Sequence, residues 1–73
     1  MGARPQHRPA YRRLCEQLLE QRIDARLTQR ALAAKLRRPP SFVAKVEHGD
    51  RRIDPVEFVE WCEACGVNPK AAI

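Results

Sequence analysis

What is scarce in this sequence bounds what it can be. Aromatic residues amount to one Trp, one Tyr and two Phe in 73 residues, enough for one small core and too few for a second. A core of that size supplies only about 3–5 kcal/mol of net stability, so the chain must be largely helical, dimeric, or stapled by disulfides or metal. Cysteine does not supply the staple, because Cys15, Cys62 and Cys65 are an odd set with no disulfide-framework spacing. No apolar run is long enough to cross a bilayer, and the opening MGARPQHRPAYRR carries charge but no stretch of the kind a secretory signal needs. Gln6 stands where a myristoylation signal requires Ser or Thr. A soluble, reduced, cytoplasmic protein with no membrane attachment is expected.

Catalytic patterns are missing too. There is no phosphate-loop glycine run, no Ser/His/Asp set and no metal-ligand cluster with an open position, and the carboxylates fall on helix faces and caps. The expectation is a non-enzyme with no cofactor, no metal and no evident small-molecule substrate. Cys62-x-x-Cys65 on one helix puts both thiols on the apolar side, so these cysteines read as core.

What the chain does have is basic charge, unevenly placed. Residues 1–46 hold eleven Lys/Arg against three acids, whereas residues 47–73 hold three against six, for a total of +5. Such an excess on a small domain favours a polyanionic partner.

Residues 1–8 lack apolar periodicity and read as a flexible basic arm, leaving residues 9–73 as one domain. From Pro9 to about Ala25, Tyr11, Leu14, Cys15, Leu18 and Leu19 recur at helical spacing. Thr28 is placed to cap a short second helix, Gln29 to Leu36, with Leu27 and Leu32 in the staple relation and Ala33 and Ala34 keeping one side thin. Arg37, Arg38 and Pro39 interrupt the pattern. Pro40 then opens a third helix that Gly49 closes after His48. Asp54, Pro55 and Glu57 form a capping box for a fourth helix ending at Gly66, with Ile53 and Phe58 as staple. On it Phe58, Val59, Trp61, Cys62 and Cys65 share an apolar side, and Glu57, Glu60 and Glu63 form an acidic strip opposite. Trp61, at the edge of the apolar side, is open to either a core role or a partner contact. Pro69 starts one further turn.

At about 100° per residue, Phe42, Val43 and Val46 share one side of the third helix. Pro40, Ser41, Ala44, Lys45 and His48 share the other, which is small, polar and free to face a partner. Two short helices with such an arc on the second are what reading the DNA major groove requires. His48, near a helix end that favours a cation, reads as a surface residue.

The run LTQRALAAKLRRPPSFVAKVEHGDRRID, Leu27 to Asp54, resembles the lambda-repressor/Cro-type, or XRE-like, helix-turn-helix family, and the likeness extends over residues 11–70. The resemblance implies an all-α, compact four- to five-helix domain with the helix-turn-helix at helices two and three. It implies base-edge contact by Pro40, Ser41 and Lys45, on the arc that also holds Ala44, and phosphate contact by Gln29, Arg51 and Arg52. Arg37 and Arg38 add two charges beside the groove, and phosphate contact is expected of them on that ground, as base-edge contact is of Ala44 from its place on the arc. Gln29 would also brace the recognition helix, and Arg22 and Glu47 would form an internal ion pair. The chain departs from the family by placing Arg26 and Arg37 where Gly is usual, Arg38 where an apolar residue is usual, and Pro39 and Pro40 where a Ser/Thr cap and a Gln are common. Without that Gln, bidentate reading of adenine from position 40 is lost.

These readings together expect a sequence-specific transcriptional regulator that binds double-stranded DNA, as a homodimer on a two-fold operator, and acts by occupancy as a repressor. A dimer through helix four and the last turn would suit such an operator. The rival is a protein-interaction module, such as an antitoxin or adaptor, using Trp61 and the acidic strip as its contact.

Overall fold

The structure, a computed structural model, describes residues 8–72 and contains five helices. They are α1 (Pro9–Asp24), α2 (Gln29–Lys35), α3 (Pro40–His48), α4 (Pro55–Ala64) and the single turn α5 (Pro69–Ala72). The expected basic arm, residues 1–8, lies outside the described residues apart from Arg8. None of the described helices is long and apolar enough to cross a membrane.

Local chemistry sets the helix boundaries. All helices but α2 begin on proline, whose missing N–H falls where no intrahelical acceptor exists. At α2 the Thr28 side chain accepts the Ala31 N–H at 3.0 Å. At α4 the capping box is closed, with the Glu57 N–H donating to Asp54 Oδ1 at 2.7 Å and the Asp54 N–H to Glu57 Oε1 at 3.1 Å. Helix α3 has no side-chain cap bond. Its N-cap is Pro39, which Pro40 holds extended.

The first four helices end alike. A left-handed residue follows each one: Arg26 (φ 60°), Arg37 (φ 56°), Gly49 (φ 82°) and Gly66 (φ 75°). Each time the next N–H reaches back to the same carbonyl of the last turn: Leu27 to Arg22, Arg38 to Ala33, Asp50 to Lys45 and Val67 to Cys62, all within 3.1 Å. This is the Schellman ending. Arg26 and Arg37 are the two places where arginine replaces the glycine usual in the family, and both take the glycine-like conformation.

The core cluster contains Leu18 of α1, Leu32 and Ala33 of α2, Phe42, Val43 and Val46 of α3, and Trp61 of α4. Leu27, Ile53 and Phe58, the staple residues, pack against it. Trp61 is fully buried and donates its indole N–H to the Leu18 carbonyl at 3.2 Å, which ties α4 to α1. The ambiguity over Trp61 resolves to core, since the bond satisfies its one polar atom. Ala33 is buried but Ala34 is exposed, so only one of the two alanines thins the inner face. Val59 lies more than a third exposed, outside the apolar side expected of it.

Cys15 and Cys62 are buried and Cys65 is half-buried, all three free thiols. Burial raises each thiol above its ordinary range, which disfavours the reactive thiolate. Among the described residues, no group of three or more His, Cys, Asp or Glu is placed to hold a metal ion.

A left-handed L-residue costs roughly 1–2 kcal/mol, partly offset by the greater unfolded-state entropy of glycine. Arg26→Gly should therefore stabilise the fold by about 0.5–1 kcal/mol. Thermal denaturation followed by circular dichroism should show a higher melting temperature, and a fall would mean that the Arg26 side chain has a stabilising contact of its own.

Candidate nucleic-acid interface

The buried stripe of α3 leaves its opposite face outward. Pro40, Ser41, Lys45 and His48 are exposed and Ala44 is half-exposed, while Phe42, Val43 and Val46 are buried. The expected base-reading residues are thus together on one surface.

Two buried carboxylates fix the two ends of this helix. At the C-terminal end, Glu47 accepts from Arg22 Nε at 2.6 Å, from Arg22 Nη2 at 3.1 Å and from Gln29 Nε2 at 3.0 Å. Arg22 also donates through Nη1 to the Leu27 carbonyl at 2.9 Å. Helix α3 is thereby tied to the end of α1, the following loop and the first residue of α2. The side chains of Arg22 and Glu47 are only 13% and 5% exposed, so the pair is an internal strut. Gln29 braces α3 through one amide N–H, and its second remains for another acceptor.

At the N-terminal end the carboxylate is Glu57 of α4. Arg38 Nη2 donates to its Oε2 at 2.8 Å, and Arg51 donates to both oxygens at 2.9 and 3.0 Å. Arg51 also donates to the Arg52 carbonyl at 2.9 Å. Both guanidinium carbons lie 4.8 Å from the centre of the Phe42 ring, which in turn meets Trp61 at 6.4 Å between centroids. Glu57 was expected on an exposed acidic strip with Glu60 and Glu63. It is buried instead, beneath the guanidinium groups of Arg38 and Arg51, which compensate its charge. Glu60 and Glu63 are exposed.

Hydrogen bonds from Arg51, chiefly, hold the Glu57 carboxyl below its ordinary pKa against the opposing effect of burial. The Asp54 N–H and the charges of Arg51 and Arg38 add to the lowering. The same bonds raise Arg51.

The remaining expected phosphate residues are placed differently. Arg37 is exposed on its left-handed turn. Arg52 is exposed, with its guanidinium 5.5 Å from the centre of the Tyr11 ring, and the Tyr11 hydroxyl accepts the Ile53 N–H at 3.0 Å. Among the described residues, Lys45, Arg37 and Arg52 form no ion pair. Tyr11, which helical spacing groups with the apolar residues of α1, thus braces the loop after α3. A tyrosine among apolar residues of an amphipathic helix gives no hint of an acceptor role 42 residues away.

Removing one partner of a buried pair leaves the other charge uncompensated, at a cost of about 3 kcal/mol or more. Arg22→Ala should lose that much stability in urea denaturation, and an unchanged midpoint would deny the strut. Glu57 sets a pH test. A carboxylate whose pKa is depressed on folding stabilises above its unfolded value, about 4.3, and loses that contribution as pH falls through the folded value. Wild type should exceed Glu57→Gln by about 1–3 kcal/mol at neutral pH, with the gap closing below pH ~4. A gap that persists in acid would mean that the carboxylate charge is not its source.

The helix-turn-helix domain family matches residues 13–72. No curated protein matches the chain. Among solved structures, the chain is similar to an XRE-family like protein from Pseudomonas syringae pv. tomato str. DC3000, with 48% sequence identity and a TM-score of 0.80, covering 84% of this chain and 74% of that one. Fold, ordered motif and family match agree: the chain belongs to the XRE-like helix-turn-helix family, a family of DNA-binding regulators.

Proposed function

We propose that this protein is a sequence-specific transcriptional regulator that lays α3 in the major groove of double-stranded DNA. The observation that carries the reading is the outward face of α3. Pro40, Ser41, Ala44 and Lys45 lie there together on a helix tied near its C-terminal end by the Arg22–Glu47 pair and overlaid at Phe42 by the two arginines that bond Glu57. A helix fits the major groove, where every base pair presents its own donor, acceptor and methyl pattern. Lys45 supplies donors for acceptor edges, Ser41 a hydroxyl that serves either role, and Pro40 and Ala44 short apolar contacts.

Phosphate contact falls to Gln29 at the start of α2 and to the exposed Arg37 and Arg52 around α3. Such contacts set register and orientation without carrying sequence information. The protein acts as a homodimer on a two-fold operator, in the cytoplasm of a bacterial or phage-type system. It represses by covering the promoter, because the domain needs only occupancy to do so. The rival interaction-module reading keeps only Glu60 and Glu63 of its contact on the surface, since Trp61 and Glu57 are buried.

Fluorescence-anisotropy titration against a randomised duplex pool at two salt concentrations, with sequencing of the retained fraction, tests the reading. Salt-sensitive binding that enriches a two-fold repeat is expected. Weak binding lost at moderate salt without enrichment would overturn sequence reading. On the enriched duplex, Lys45→Ala should relax base preference by ~1–3 kcal/mol, and Arg52→Ala should weaken all sequences alike. Equal losses across sequences for Lys45→Ala would remove it from the base-reading set.

A further inference from the structure

Basic charge beside a reading helix draws it to any DNA, whatever the sequence, and this protein appoints two of those charges to an internal partner. Arg38 comes from the turn before α3 and Arg51 from the loop after it, yet both end on the same carboxylate and the same ring. The Glu57 side chain is 7% exposed, against 38% for Arg38 and 40% for Arg51. The arginines are therefore visible to solvent while their charge is partly cancelled from beneath. A capping box alone requires only the exchange between Glu57 and Asp54. The three bonds from the arginines exceed that need.

We propose that Glu57 is a positioning and specificity-determining residue for DNA reading. It holds Arg38 and Arg51 against Phe42, which fixes the first turn of α3, and it keeps their charge from the phosphate backbone. This inference rests on the major-groove function proposed above. Its physical basis is that sequence-independent affinity grows with each phosphate neutralised, whereas discrimination depends on how tightly the reading helix is oriented. Phe42 is the residue through which the clamp acts, since two cations over its ring and Trp61 beside it leave the first turn of α3 one seat. The depressed pKa of Glu57 keeps the clamp charged throughout the neutral range.

The test compares the wild-type chain with Glu57→Gln and Arg38→Met. Binding to a randomised duplex pool and to the enriched duplex is followed by fluorescence anisotropy across a sodium chloride series. Emission of Trp61, the single tryptophan, reports whether each variant is folded at the assay temperature. Folded Glu57→Gln should bind the pool more tightly than wild type at low salt. Its slope of log affinity on log salt should steepen by about 1–2, because up to two arginines become available to phosphates. Its preference for the enriched duplex over the pool should fall by roughly tenfold or more, the scale of one lost bidentate base contact. A residue that only stabilised the fold would weaken both bindings together and would never raise affinity for the pool.

An unchanged or shallower slope for folded Glu57→Gln overturns the proposal. If Glu57→Gln is unfolded, Arg38→Met decides: a slope equal to wild type supports the clamp, and a slope shallower by about 1 assigns Arg38 to a phosphate and overturns it. Wild type that retains no duplex even at low salt overturns the DNA-reading function itself, and is distinguished from failure of the clamp by involving no variant.

Discussion

A helix of nine residues has no stability of its own in water, and α3 is that short. Its orientation must therefore come from elsewhere, and the interaction on which it most depends is Glu47 with Arg22. Glu47 sits in the last turn of α3, where the helix dipole disfavours an anion. Burial disfavours it further. The two Arg22 bonds and the Gln29 bond compensate both effects, and in doing so they lock the order α1, loop, α2 and α3 into one arrangement. The Glu57 cluster performs the same service at the other end, so α3 is held at both termini by carboxylates that belong to the interior.

This arrangement sorts the basic residues into classes that net charge cannot distinguish. Arg22 is a strut, Arg38 and Arg51 are bonded to Glu57 and laid over Phe42, and Arg52 lies over Tyr11. Lys45 and Arg37 stand exposed without an ion pair among the described residues. Counting lysines and arginines alone thus overstates the charge available to a polyanion, since Glu47 offsets the charge of Arg22 and Glu57 offsets one of the two charges of Arg38 and Arg51. Planarity explains why arginine fills the bonded positions: it can stack on a ring and bond in its plane at once.

The same economy of means appears in the helix junctions. Proline starts and left-handed stops turn the chain sharply enough to fit five helices into the described residues 8–72. Two stops use arginine in place of glycine, accepting local strain. At Arg37 that strained residue stands exposed in the turn that leads into α3.

Whatever depends on neighbours within a turn or two was determined by the sequence itself. The caps at Thr28 and Asp54, the proline starts, the glycine ends, the buried stripe Phe42, Val43 and Val46 and the outward arc opposite it all follow from local bonding and helical period. The resemblance to a known family added the Arg22–Glu47 pair, which no local rule connects across 25 residues. Only the tertiary structure decided the rest. It buried Glu57, which periodicity grouped with the exposed Glu60 and Glu63, beneath Arg38 and Arg51 brought from either side of α3. It sent Trp61 to the core through a bond to Leu18, and it drew Arg38 and Arg51 onto one acceptor. Those outcomes depend on where separate helices meet, and a pattern that repeats along one helix carries no information about the direction of the next.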